Sequence, residues 1–239
     1  MAPVKGLATI SRDHVHLDDA GVAEDRRVLL LAEDGSVITL RRHPHLVQIT
    51  PELDTERGTL AVTLPNGATA TSPLDDAVEQ ANAELYGKQR PGRLLPGEVA
   101  EALSHAAGEP VRVLVAERTG VGWDEGPVSI LGRSSAAAIG GERDKARYRM
   151  LVEVDGTDPY EEDTWVGRQV ELGEALVQVT HPLERCVIIT QSPATGEKDW
   201  EGLHALAAER GPGLLCLGVI ADVVTPGVVR VGAPVRVLP

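Results

Sequence analysis

Arg27-Val28-Leu29-Leu30-Leu31 and Ser36-Val37-Ile38-Thr39-Leu40 flank Glu33-Asp34-Gly35. Two short β-branched and aliphatic runs around an Asp-Gly pair, which tolerates positive φ, predict a β-hairpin. The same pattern continues through Leu46-Val47-Gln48-Ile49 and Leu60-Ala61-Val62-Thr63-Leu64, with Pro65-Asn66-Gly67 as a further turn, so the first part reads as an antiparallel meander. From 73 to 87 the reading is ambiguous, because a helix over Asp75 to Tyr86 has poor periodicity. Gly97 to Ala107 is a better helix, with Val99, Ala100, Leu103 and Ala106 at helical spacing and Gly108 as its stop.

Beyond it, strands are predicted at Val111 to Val115 and Val128 to Leu131, joined by a loop over 120–127. A short helix follows over Ser134 to Ile139. Strands resume at Tyr148 to Val154, Gln169 to Leu172 and Leu176 to Thr180, and Cys186 opens a further strand over Val187 to Thr190. Pro193-Ala194-Thr195-Gly196 is a turn, and Asp199 to Arg210 a helix with Asp199 as N-cap and Gly211-Pro212 as its end. Strands near Leu217 to Val224, Val228 to Val231 and Val235 to Leu238 close the chain. Many short strands with a few helices predict a β-dominated α+β fold of barrel type.

The chain has 239 residues, 42% of them hydrophobic, enough for one or two domains with a real core. No apolar run is long enough to span a bilayer and the N-terminus lacks a signal-peptide stretch, so a cytoplasmic protein without membrane contact is expected. A net charge of -13 argues against nucleic acid and anionic membranes as partners. Arginines do cluster at Arg26-Arg27 and Arg41-Arg42, and guanidinium forks suit phosphate and carboxylate groups.

Two cysteines, Cys186 and Cys216, exclude a disulfide framework and an iron–sulfur cluster. Cys186 follows Arg185, a setting that favours the thiolate, the form that binds metals and attacks electrophiles. Cys216 sits among leucines and reads as structural. His43 and His45, split by Pro44, read as surface or cofactor-rim residues, and His14 and His16 have no third zinc ligand nearby in sequence. Glu161-Glu162-Asp163 reads as a solvated loop, and Gly120-Val121-Gly122 lacks the context of a nucleotide loop.

Several motifs stand in order along the chain: Pro3-Val4-Lys5-Gly6, Asp25-Arg26-Arg27, Thr39-Leu40-Arg41-Arg42-His43-Pro44, Arg147-Tyr148-Arg149, Thr164-Trp165-Val166-Gly167, Arg185-Cys186, Pro193-Ala194-Thr195-Gly196 and Pro226-Gly227-Val228. Together they resemble the MOSC domain preceded by its N-terminal β-barrel domain, as in the amidoxime-reducing component and the C-terminal part of molybdenum cofactor sulfurase. The resemblance implies an N-terminal β domain over 1–85 and a MOSC domain over 86–239. It implies the molybdenum cofactor, not pyridoxal phosphate. Cys186 becomes the protein's ligand to the metal, Lys5, Arg26 and Arg149 bind the pterin and phosphate with Arg41 a further candidate, and Asp124 stands near the metal as a catalytic acid.

The resemblance has departures. Arg149 is followed by Met150 and Leu151 where relatives carry proline and asparagine, and Glu184 and Gly6 replace serines. The chain starts almost at Pro3-Val4-Lys5, so the barrel's usual first strand is expected to be largely missing. The activity implied is reduction of small N-hydroxylated compounds. Electrons would come from a separate reductase or electron-transfer protein, because no flavin or dinucleotide motif is visible. Two alternatives accompany it: a sulfurtransferase carrying a persulfide on Cys186, and a non-catalytic carrier of the cofactor.

Overall fold

The computed structural model describes residues 1–140 and 145–239. It is β-dominated with three α-helices among the described residues and divides into two compact units. Among those residues no helix is long and apolar enough to cross a membrane.

The first unit comprises Met1–Ile10, Glu24–Trp123 and Pro193–Glu197. One antiparallel sheet runs in the order Val28–Leu31, Arg112–Ala116, Lys88–Leu95, Glu79–Leu85. All four residues of Val28–Leu31 are buried, which is why that strand reads as a continuous apolar run with no alternation. Its Leu29 and Leu31 pack with Ala83, Leu114, Ala116 and Val121. A second sheet is the expected meander, Thr50–Asp54, Thr59–Thr63 and Thr69–Pro73, alternating buried and exposed positions. Helix Glu98–Ala107 buries Val99 and Leu103, one turn apart, and stops at Gly108 in the left-handed region, φ 74°. Its Val99 amide donates to the hydroxyl of Ser72 at 3.2 Å, so the meander caps the helix.

The second unit comprises Ser11–Ala23, Asp124–Ser192 and Lys198–Pro239. Its six-stranded sheet has the order Val152–Val154, Val128–Gly132, Cys216–Thr225, Ala175–Glu184, Gln169–Leu172, Val235–Val237, antiparallel except for the first pair. The long central pairing slips register at three places along Ala175–Glu184. Such bulges add twist and curl the sheet. A small sheet of Gly227–Arg230, His14–Asp18 and Gly21–Val22 completes the unit.

Several expected elements differ. Leu46 to Ile49 is not a strand; Pro44–Gln48 forms a 3-10 helix. Pro44 presets the first helical φ, and the consecutive burial of Leu46 and Val47 suits a tight turn where a half-buried strand would alternate. Ser36 to Leu40 makes isolated contacts, a bridge from Val37 to Leu31 and hydrogen bonds of 2.9 and 2.7 Å from Ala32 and Ile38, without a ladder. The ambiguous stretch resolves into a 3-10 turn Leu74–Asp76 and the strand Glu79–Leu85, which Lys88–Leu95 pairs along its whole length. The expected strand Tyr148 to Val154 begins only at Val152, after a 3-10 helix Lys145–Tyr148. Val187–Thr190 is likewise a 3-10 helix, so Cys186 caps a turn and opens no strand. The last helix starts at Gly202 with Glu201 as its N-cap residue, because Asp199 is engaged elsewhere.

Glu161-Glu162-Asp163 is not a solvated loop. Glu162 is fully buried, accepting hydrogen bonds from the Gly132 amide at 3.1 Å and the Ser135 hydroxyl at 2.7 Å, while Asp163 pairs with Arg210. A buried carboxylate persists where its oxygens find donors.

Pro193-Ala194-Thr195-Gly196 has a tertiary reason for its glycine. Gly196 has φ 80°, and a Cβ there would run into the carbonyl of Pro44. Gln48 also donates to the Thr195 carbonyl at 3.3 Å. Gly196→Ala is expected to destabilise the protein by about 2–3 kcal/mol, combining left-handed strain with a backbone clash, as read from urea unfolding; Gly67→Ala, where a Cβ meets nothing within 4 Å, should cost about 1 kcal/mol from strain alone.

Candidate functional site

In the second unit the candidate site centres on Cys186. The cysteine is exposed, lies in extended conformation (φ -109°, ψ 176°), and its carbonyl accepts from the Ile189 amide at 3.2 Å to start the 3-10 turn. The flanking Glu184 and Val187 are also exposed, so the cysteine sits on an open surface just past the end of the strand Ala175–Glu184.

Arg185 does more here than stand beside a thiol. Its backbone amide bonds to the Leu215 carbonyl at 2.8 Å. Its guanidinium donates to the Tyr148 carbonyl at 2.6 Å, reaches the Met150 sulfur at 3.4 Å and lies 5.8 Å from the Tyr148 ring centre. Arg147 makes the return connection. Buried, it donates to the carbonyls of Ile189 at 3.0 Å and Gln191 at 3.2 Å, and to both carboxylate oxygens of Asp199 at 3.2 and 3.3 Å. Its guanidinium also stacks 5.2 Å from the Trp200 ring centre. The two arginines therefore cross-link the Cys186 turn and the 145–150 segment in both directions. A planar five-donor fork suits this arrangement, and a lysine would not reproduce it.

Between these anchors lies Arg149, half-buried and left-handed at φ 55°. Arg149 and Arg26, at φ 49°, are two of four non-glycine residues with positive φ among the described residues. Such conformations cost of order 1–3 kcal/mol and persist where surrounding contacts enforce them. The enforcing contacts at Arg149 are visible: Tyr148 is held by Arg185, and the Leu151 amide by the Ser129 hydroxyl at 2.9 Å.

In the first unit, Lys5 is nearly buried, and its ammonium donates to the Gly122 carbonyl at 3.1 Å. Lysine is rarely buried without a specific reason. Arg26 pairs with the buried Asp25, whose other oxygen accepts the Ala2 amide at 2.6 Å. Gly122 has no room for a side chain, because a Cβ would strike the Arg26 carbonyl. Gly6 stands at φ 88°, a conformation that glycine adopts without strain. Next to Gly122, the buried indole nitrogen of Trp123 has no hydrogen-bond partner among the described residues.

Arg41 is exposed on the turn before Pro44, and Asp124 is exposed on the loop before Val128–Gly132. Among the described residues no three His, Cys, Asp or Glu side chains converge as a metal site. His43 and Arg42 both address Glu109, at 2.8 and 2.9 Å, the histidine contact being close but out of line for a hydrogen bond. His45 lies 3.0 Å from the Ala106 carbonyl, at the end of a helix where such contacts are favoured. Burial raises the thiol of Cys216 above its ordinary range.

Sequence reasoning overlooked the part played by Arg147 and did not single out Tyr86 or Trp123. For Arg147 a signal existed, an arginine flanking a buried tyrosine in a motif triplet. Nothing in the sequence marks the left-handed backbone of Arg26 and Arg149.

Comparison with known proteins agrees with this arrangement of motifs. Residues 1–110 match the MOSC N-terminal beta barrel domain and residues 118–236 the MOSC domain. The chain belongs to the MOSC family. It is 23% identical over 229 residues to a molybdenum cofactor sulfurase of Caenorhabditis briggsae, covering 91% of this chain and 32% of that protein. Against a mitochondrial amidoxime reducing component 2 of Macaca fascicularis it is 25% identical over 255 residues, covering 90% of this chain and 74% of the relative. It thus spans about a third of the sulfurases it matches. The crystal structure of the YuaD protein from Bacillus subtilis aligns over 99% of this chain and 91% of that one, with 13% identity and a TM-score of 0.45.

Two outcomes follow from the geometry. Arg147→Ala should destabilise the second unit by about 3 kcal/mol, and Arg147→Lys should recover less than half of that, because an ammonium cannot serve two carbonyls and a carboxylate together; denaturant unfolding measures both. Burial pushes the Tyr148 hydroxyl up to about 12 from 10.0, partly opposed by Arg147 and Arg185, and desolvation raises Tyr160 similarly. Below pH 10 this stabilisation is fully present. Above it the unfolded tyrosines ionise first, so stability falls between pH 10 and about 12. Tyr148→Phe should flatten part of that fall in unfolding measured across alkaline pH.

Proposed function

We propose that this MOSC protein holds the molybdenum cofactor and reduces small N-hydroxylated compounds with electrons delivered by a separate protein. The observation that carries the reading is the exposed Cys186, fastened through Arg185 and the reciprocal Arg147 to a segment ending in left-handed Arg149.

The side chains suit such a cofactor in their chemistry. An accessible thiol is a soft ligand for a metal already carrying sulfur ligands of its own. Lys5, Arg26 and Arg149 are donor-only cations, as a pterin phosphate requires. Glu184, two residues from Cys186, is the one discordant charge.

Cys186 would be the protein's ligand to the metal. Lys5 and Arg26, with Arg149, would hold the phosphate and pterin, and Arg41 would extend the cationic rim. When bound, the cofactor supplies two-electron redox chemistry and acceptance of an oxygen atom. The net change, R–NH–OH with two electrons and two protons to R–NH2 and water, needs a proton source, and Asp124 is the carboxyl assigned to it. The electrons come from a partner carrying a flavin, haem or iron–sulfur group, since Cys186 and Cys216 alone cannot ligate a cluster.

The test is metal and turnover together. Protein from a host that makes the cofactor should contain about one molybdenum per chain. It should reduce a simple N-hydroxylated substrate with a chemical reductant and not with NADH or NADPH alone. Cys186→Ser should lose metal and activity while keeping its unfolding curve, and Cys216→Ser should keep both. Full molybdenum and turnover in the Cys186 variant would overturn the ligand assignment, and a cyanide-labile sulfur without metal would replace reduction by sulfur transfer.

A further inference from the structure

The hairpin between Glu79–Leu85 and Lys88–Leu95 turns in two residues, Tyr86 and Gly87, beyond the Leu85–Lys88 pair. Both turn residues have positive φ, 52° and 71°. That geometry calls for Asn, Asp or Gly at the first position, where a side chain with a bulky ring is strained. The ring gains little burial in exchange, since Tyr86 is 66% exposed. Local turn chemistry therefore gives no reason for a tyrosine here.

The ring's neighbour supplies one. The Lys5 ammonium lies 5.9 Å from the Tyr86 ring centre, while Lys5 itself is only 7% exposed. At that distance the direct cation–π attraction is at the edge of its range. The tip of the hairpin thus presents an accessible aromatic ring beside a buried cation. An aromatic platform next to a cationic anchor is the arrangement that takes a planar heteroaromatic ring carrying an anionic group, as stacking platforms do for nucleotide bases.

We propose that Tyr86 is the stacking platform for the planar ring of a phosphate-bearing ligand anchored at Lys5, and that this use of the ring maintains a strained tyrosine in the turn. The proposal rests on the assignment of Lys5 to an anionic ligand. It adds a residue that selects for the ring where Lys5 selects for the charge. Tyr86→Gly removes ring and strain together, so loss of binding in that variant cannot be blamed on a weakened turn.

Calorimetric titration of cofactor-free, full-length protein with inorganic phosphate and with 6-hydroxymethylpterin phosphate tests it. The wild type should prefer the pterin phosphate by about tenfold or more, the scale of one aromatic stack. Tyr86→Phe should keep that preference. Tyr86→Gly should melt no lower than the wild type, bind inorganic phosphate equally well and lose the preference for the pterin. Lys5→Ala should weaken both ligands. A wild type without preference, or a Tyr86→Gly variant that retains it, overturns the proposal. Molybdenum content is read separately: a chain that holds no metal yet shows the Tyr86-dependent preference refutes the reductase reading and supports the platform.

Discussion

The guanidinium of Arg147 is the constraint on which the second unit's chemistry depends. It is buried, and a buried charge is tolerated only where fixed partners replace water. Here those partners are the carbonyls of Ile189 and Gln191 and the carboxylate of Asp199. They come from the two ends of the chain segment that follows Cys186, so satisfying one side chain fixes the path of the whole turn. Arg185 closes the loop from the opposite side through the Tyr148 carbonyl. The packed cluster of Tyr148, Met150, Ile189, Leu206 and Leu217 then has little freedom to let the cysteine move.

This arrangement separates two jobs that arginine can do. Arg147 and Arg185 bond inward to carbonyls and carboxylate and build the scaffold. Arg149, between them in the chain, is turned by its left-handed backbone away from the path a strand would impose. In the first unit both neighbouring arginines bond inward: Arg27 donates to the Ala116 carbonyl at 2.7 Å, and left-handed Arg26 pairs with the buried Asp25. In a chain of net charge -13 these cations are local features, maintained against the average field by specific contacts.

Three glycines are tied to particular close approaches. Gly196 lies on the Pro44 carbonyl and Gly122 on the Arg26 carbonyl, where no side chain fits. Gly132 faces Glu162, so that the buried carboxylate can reach the Gly132 amide and the Ser135 hydroxyl at once. In each case two segments distant in sequence share one backbone contact.

Much of the fold was legible in the sequence because its signals are local. Asp34-Gly35 and Asn66-Gly67 mark turns, alternation marks Thr59–Thr63, and apolar spacing with a terminal glycine marks Glu98–Ala107. Motif order along the chain likewise identified the MOSC family and pointed to Lys5, Arg26, Arg149 and Cys186. The short 3-10 segments were not legible. Val187–Thr190 is β-branched by composition and reads as a strand, and Leu46 and Val47 read the same way once Pro44 is overlooked as a helix start. Glu162 looked solvated because its donors stand 27 and 30 residues away. The sequence by itself determined which residues carry charge, sulfur and turn chemistry, since these are properties of single residues and near neighbours. Only the tertiary structure decided that Arg147 and Arg185 build the scaffold of the Cys186 turn, because that depends on which carbonyls the folded backbone brings within reach.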